Sequence, residues 1–210
     1  YTRAKRRNHF ISFISLISML GIALGVTALI TVLSVMNGFE KELRERILGV
    51  VSHATVQSDA GALADWRRLR DGLERRPGVV GVAPFIHAEG MISRGDRVSG
   101  AILQGVLPEM ESAVSELPRK MVAGDLAKLT SGAYGIILGQ DLAYSLGATV
   151  GDQVVVITPQ GSLTPAGFLP RLKRFTVTGI FSVGMYEYDS ALALMHLDDA
   201  ATLYRFGDGV

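Results

Sequence analysis

The sequence predicts an α+β protein held to a membrane by a single amino-terminal helix. Three observations predict it. Residues 10–37 contain no ionised side chain. The rest of the chain has the composition of an ordinary soluble domain. In that remainder, short alternating segments and amphipathic helical segments follow one another, separated by glycine and proline.

A helix needs about 20 apolar residues to cross a hydrocarbon core of roughly 30 Å. The run at 10–37 exceeds that, so tilt or a protruding end is expected. Arg3, Lys5, Arg6 and Arg7 precede it, whereas Glu40, Lys41, Glu42, Arg44, Glu45 and Arg46 follow it with mixed sign. A lysine and arginine excess stays cytoplasmic, which puts the amino terminus inside and the following domain outside. The competing reading is a cleaved signal peptide, whose apolar core is about 7 to 15 residues and ends at small residues. Here the run is longer and ends in Val35-Met36-Asn37-Gly38-Phe39, which favours the anchor.

Within the span, Gly21 and Gly25 form Gly-x-x-x-Gly, with Ser18 one turn before and Ala28 near the same face. Such spacing lets another helix approach closely, although glycine is also common in membrane helices at large. Past the membrane surface Phe39, Leu43 and Ile47 keep helical spacing, and Glu40 with Arg44, and Glu42 with Arg46, pair at i to i+4. The span is therefore expected to continue as a helical stalk, capped at Gly49.

The net charge of +1 and mean hydropathy of +0.30 place the apolar excess in that one run. No basic stripe is available to displace counterions, so nucleic acid is not an expected partner. The chain has no cysteine, which excludes a disulfide framework, a thiolate metal site and a cysteine nucleophile. His9, His53, His87 and His196 are scattered, and no metal site is expected. There is no phosphate loop ending in Lys-Ser or Lys-Thr, and Ser162 lacks a nucleophile-elbow context. Neither a catalytic site nor a cofactor is expected. The chain begins at Tyr1 and stops just after a helix-like segment, so it reads as a piece of a longer protein.

Three parts are expected: residues 1–49 as flank, span and stalk, residues 50–112 as the first α+β part, and residues 113–210 as a second, mostly-β part. In the first part a strand is expected at 54–57 and an amphipathic helix at 62–76, with Leu63, Trp66, Leu69 and Leu73 on one face and Pro77-Gly78 ending it. A strand over 79–92, a turn at Arg94-Gly95-Asp96 and a strand over 98–106 follow, which together open a split βαβ layer. Residues 108–118 form a polar break, after which a second subdomain is expected as an insertion. Its elements are a strand at 135–138, a helix at 140–146 capped by Gly147, a strand at 153–158, strands at 175–181 and 192–196, and a last helix with Asp198 as N-cap and Gly207 as C-cap.

Residues 159–174 read as a long loop. Hairpin loops usually take about 2 to 5 residues, and loops beyond about 12 are commonly functional. Pro159, Pro165 and Pro170 lower the entropy cost of an extended shape, and Phe168 and Leu169 place apolar groups at the tip. Arg171, Lys173 and Arg174 would give that apolar hook a charged rim. A loop folded back on its own domain is the plainer alternative.

Taken together, these segments resemble the permease subunits of the lipoprotein-releasing Lol transporter, the LolC and LolE type, within the MacB-like class of ABC transporters. The resemblance covers essentially the whole chain. It is carried by Gly21-Ile22-Ala23-Leu24-Gly25-Val26 into Thr31-Val32-Leu33-Ser34-Val35-Met36-Asn37-Gly38-Phe39-Glu40, by Leu138-Gly139-Gln140-Asp141-Leu142-Ala143 with the stretch from Leu146 to Val154, and by Thr164-Pro165-Ala166-Gly167-Phe168-Leu169-Pro170. It implies an inner-membrane permease subunit with a large periplasmic domain, a second permease subunit or a second copy as partner, and a separate cytoplasmic ATPase subunit as energy source. It also implies lipoprotein substrates whose acyl chains sit near Val32, Met36 and Phe39. The hook, Pro165 to Pro170, would hold a LolA-like periplasmic lipoprotein carrier. LolE-type subunits lack the Thr-Pro-x-Gly pattern, which favours the carrier-binding type or a hybrid permease. One departure is that basic character lies only on the returning side of the hook, with Val154 to Val156 preceding it. A MacB-like relative that transmits ATPase motion without moving lipid is the alternative.

Orientation can be tested directly. Alkaline phosphatase fused after residue 61 is expected to be active and a cytoplasmic reporter at that point silent; the reverse pattern would overturn the topology.

Overall fold

The computed structural model describes residues 2–48, 52, 54–58, 62–164, 167–206 and 209–210, with side chains described at 11–42, 52, 54–58, 62–159, 161, 170–206 and 209–210. Its contacts divide the chain into two units, Tyr1–Ile47 and Leu48–Val210.

The first unit is one helix, α1 (Thr2–Leu48), of 47 residues. Ile11–Glu42 within it is long and apolar enough to cross a membrane, with a mean hydropathy of 2.4. The Thr27 and Thr31 hydroxyls donate to the carbonyls of Ala23 and Thr27 at 2.8 Å each, so these polar groups are satisfied inside the helix. The helix runs on past Glu42, as the stalk reading expects. The cap expected at Gly49 lies outside the described residues.

The second unit contains α2 (Trp66–Glu74), β1 (Phe85–Arg94), β2 (Arg97–Val106), α3 (Pro108–Glu111), β3 (Met121–Gly124), β4 (Gly135–Gly139), α4 (Gln140–Leu146), β5 (Gln153–Thr164), β6 (Gly167–Phe181), α5 (Tyr186–Asp189), β7 (Leu192–His196) and α6 (Leu197–Tyr204). Several boundaries differ from the sequence reading. Residues 54–57 carry no ladder, and an isolated bridge at Ser58 is all that forms there. β1 starts only after Pro84, which has no N–H for a ladder, so residues 79–84 stay outside the sheet. The N-cap of α6 is His196 rather than Asp198: its Nδ1 accepts the Asp198 N–H at 3.2 Å, and Asp198 falls in the first turn. Arg205, at φ 57, closes that helix by donating its N–H to the Ala201 carbonyl; Gly207 lies outside the described residues.

The strands form one sheet in the order β3-β6-β4-β7-β2-β1-β5, and β6 also pairs with β5. The pairings therefore close on themselves through β6, β4, β7, β2, β1 and β5, with β3 added to β6. The division expected at 112 and 113 is not a break in this sheet. β2 pairs in parallel with β7, Ile102 opposite Leu192, and β1 pairs antiparallel with β5, Met91 opposite Ile157. Strands far apart in the chain thus share one set of hydrogen bonds.

β4 and β7 are buried on both faces. Ile136, Leu138, Ala193 and Met195 join a cluster with Leu142 and Leu146 of α4 and with Ala200 and Leu203 of α6. Ile137, Leu192 and Leu194 point the other way, into a cluster with Leu117, Leu126 and Phe181. Gly105 lets α6 lie close on β2, because a Cβ there would sit 2.5 Å from that of Ala200. At the β1–β2 turn Arg94 donates to the Gly147 carbonyl and pairs with Asp152 at 3.0 Å. The Thr149 N–H and hydroxyl also donate to Asp152 and, with Arg94, hold its carboxyl below its ordinary pKa.

Asp189, 4% exposed, accepts from the Ser182 hydroxyl at 3.0 Å and from the Val183 and Gly184 N–H groups at 2.8 and 3.0 Å. Asp189→Ala leaves those donors without an acceptor and is expected to cost about 1–3 kcal/mol, read as a lower urea midpoint at unchanged slope. An unchanged midpoint would show that the turn finds other partners.

Candidate functional site

The described residues of 159–174 are not a loop. β5 runs on to Thr164 and β6 begins at Gly167, and the two pair as an antiparallel ribbon. Leu163 faces Phe168 and Ser162 faces Leu169 across it. The register shifts between Thr158, opposite Arg171, and Ser162, opposite Leu169, so that 159–161 lie against Pro170 alone. Such a bulge accommodates residues that cannot donate to a ladder, and both Pro159 and Pro170 fall in it.

The ribbon leaves the sheet because its neighbours stop. The pairing of β5 with β1 ends at Ile157, and β6 meets β4 only from Thr176 onward. Between those points neither β1 nor β4 pairs with the two strands. From Thr158 to Thr164 the ribbon is about 20 Å long at 3.3 Å per residue.

Pro165 and Ala166 lie outside the described residues. Gly167, Phe168 and Leu169 begin β6, and Pro170 is exposed. The three basic residues do not share a face. Arg174 is exposed and points away from the domain body, whereas Arg171 and Lys173 alternate with Phe175 and Val177, both 1% exposed, on the inner face. Arg171 Nη1 donates to the Leu203 carbonyl at 3.1 Å, and Lys173 Nζ sits 3.6 Å from the centre of the Tyr134 ring. Tyr134, Asp199 and Leu203 are thus part of the site, and the sequence reading missed them.

On α1, Val32, Met36 and Phe39 are 65%, 65% and 62% exposed and recur at helical spacing. A Cβ at Gly21 or Gly25 would meet nothing within 4 Å. Among the described residues, no three His, Asp or Glu side chains form a group able to hold a metal ion.

The chain thus combines a helix long and apolar enough to cross a membrane with an α+β unit whose strands β5 and β6 run on as a two-stranded ribbon. The chain belongs to the MacB-like periplasmic core domain family, whose pattern matches residues 15–209. It is 48% identical over 205 residues to the "lipoprotein-releasing system transmembrane protein LolC" of Neisseria meningitidis serogroup B, covering 98% of this chain and 49% of that protein. It is 47% identical to the LolC of Xylella fastidiosa, covering 100% of this chain and 50% of that one. The LolE of Haemophilus influenzae is 32% identical, covering 98% and 50%. The chain spans about half the length of these curated relatives. Among solved structures, the extracellular domain of the ABC-type transporter YknZ superposes with a TM-score of 0.48 at 15% identity, over 69% of this chain and 67% of that one.

Among the described side chains, none between Pro159 and Arg174 belongs to either buried cluster. Deleting residues 162–169 is therefore expected to change folding stability by less than about 1 kcal/mol, as surface segments generally tolerate. A large fall in the unfolding midpoint would show that the ribbon tip folds back onto the domain.

Proposed function

We propose that this chain is part of a permease subunit of a lipoprotein-releasing ABC transporter of the inner membrane, and that its ribbon docks a soluble LolA-like lipoprotein carrier in the periplasm. The ribbon carries this reading: it runs past β1 and β4, holds no part of the described core, and has Phe168 and Leu169 at the start of β6. The printed names of the relatives supply the transport system.

Pro165, Ala166, Gly167, Phe168, Leu169 and Pro170 enter an apolar cavity of the carrier. Arg171, Lys173 and Arg174 give the ribbon base a positive field that steers the approach, with Arg174 the outward-facing member. Gly21 and Gly25 pack against a second permease subunit or a second copy, and Val32, Met36 and Phe39 meet the lipoprotein acyl chains. ATP is hydrolysed on a separate cytoplasmic subunit. The amino terminus is cytoplasmic and residues 50–210 are periplasmic.

Burying Phe168 and Leu169 contributes up to about 1.5–3 kcal/mol each, whereas an exposed rim charge contributes under about 1 kcal/mol and acts mainly on the association rate. Phe168→Asp with Leu169→Asp is expected to weaken carrier binding at least about a hundredfold, and Arg174→Ala to give slower, less salt-sensitive association. Purified complex and carrier in a surface-binding assay decide it. Carrier capture that survives deletion of residues 162–169 would reject the docking role and leave a permease that transmits motion without a carrier.

A further inference from the structure

We propose that Tyr134 and α6 form a positioning clamp that fixes the direction in which the ribbon leaves the domain, with Arg171 and Lys173 as its grips. The inference rests on the docking role proposed above and assigns two of its basic residues a different task.

Both grips lead to one helix. Arg171 donates to the Leu203 carbonyl in the last turn of α6, where carbonyls lack intrahelical partners and carry partial negative charge. Lys173 lies over the face of Tyr134, whose ring meets Phe175 edge-on at 5.6 Å and 86°. Tyr134 holds a left-handed backbone, φ 51, that a non-glycine residue seldom adopts. Asp199 of α6 offsets that cost: its carboxylate, 2% exposed, accepts the Tyr134 N–H at 3.0 Å and the Gly132 N–H at 2.8 Å. Tyr204 secures the other end of α6, donating its hydroxyl to the Glu89 carbonyl of β1 at 3.0 Å; burial pushes its pKa up to about 12, so it stays a donor.

Past Ile157 on β5 and before Thr176 on β6 neither β1 nor β4 pairs with the ribbon, so its angle is decided at this root. Over a ribbon of about 20 Å, a tilt of about 10° moves the tip by about 3.5 Å, close to the separation of about 4 Å that defines an apolar contact. A clamped root presents the tip in one direction and lowers the ordering cost of docking.

The chain has no cysteine, so Ser162→Cys, in a permease otherwise free of cysteine, carries a single nitroxide label on the ribbon of the assembled complex. Arg171→Met with Lys173→Met keeps the aliphatic stems and removes both grips. This pair is expected to raise label mobility and to weaken carrier affinity about fivefold, about 1 kcal/mol at 1.4 kcal/mol per decade. A purely structural role would lower the unfolding midpoint without moving the label spectrum of the folded complex. Unchanged mobility in the folded double variant overturns the clamp. If the unsubstituted complex fails to bind the carrier, the docking role falls, and the label spectra still decide the clamp: raised mobility supports it and unchanged mobility rejects it.

Discussion

The fold turns on β6, a strand long enough to serve different partners along its length. At Thr176 it is bonded to Gln153 on one edge and Gly135 on the other. Toward its carboxy terminus, β3 takes over the edge that β5 leaves, and β4 keeps the opposite one. Because β5 also reaches β1, this one strand closes the circuit of pairings, and the hairpin of β1 and β2 is held in the same sheet as β4 and β7. Toward its amino terminus the same strand has outrun β4. The length that closes the sheet therefore also produces the ribbon.

Local signals made much of this legible. Gly147, at φ 63, ends α4 where a helix needs a left-handed residue, and Gly95, at φ 62, turns β1 into β2. β7 is a short apolar run between turns, and it forms as such. The pairing of Ile102 with Leu192 was not legible, since a parallel ladder between distant segments leaves no trace in either of them. His196 as a cap was hidden too. A serine or aspartate announces that role, whereas histidine takes it only when the preceding strand delivers its Nδ1 to the right N–H.

The site was legible in composition and not in geometry. The sequence reading takes the prolines at 159, 165 and 170 as stiffening an extended loop. Proline is also at home in a bulge or on a strand edge, and 159 and 170 fall in a bulge where neither β1 nor β4 reaches the ribbon. Once β6 is extended back past Pro170, simple alternation from the buried Phe175 and Val177 puts Lys173 and Arg171 inward and Arg174 outward. That parity was present in the sequence. The contribution of Tyr134 and Asp199 was not, because the link between them is a carboxylate reaching backbone N–H groups more than sixty residues away.

A two-stranded ribbon that neither β1 nor β4 extends is a template for pairing with another copy of itself. The same prolines that obscured the ribbon answer that hazard. Pro159 and Pro170 interrupt the run of N–H donors, and the bulge between Thr158 and Ser162 breaks the regular spacing that a third strand would need. Arg174 sets a charge on the outward face beside the exposed Leu172. Edge-to-edge addition is thereby disfavoured. Under the docking role proposed above, recognition by this segment would rest on apolar shape and on the direction set by its root at α6 rather than on an added strand.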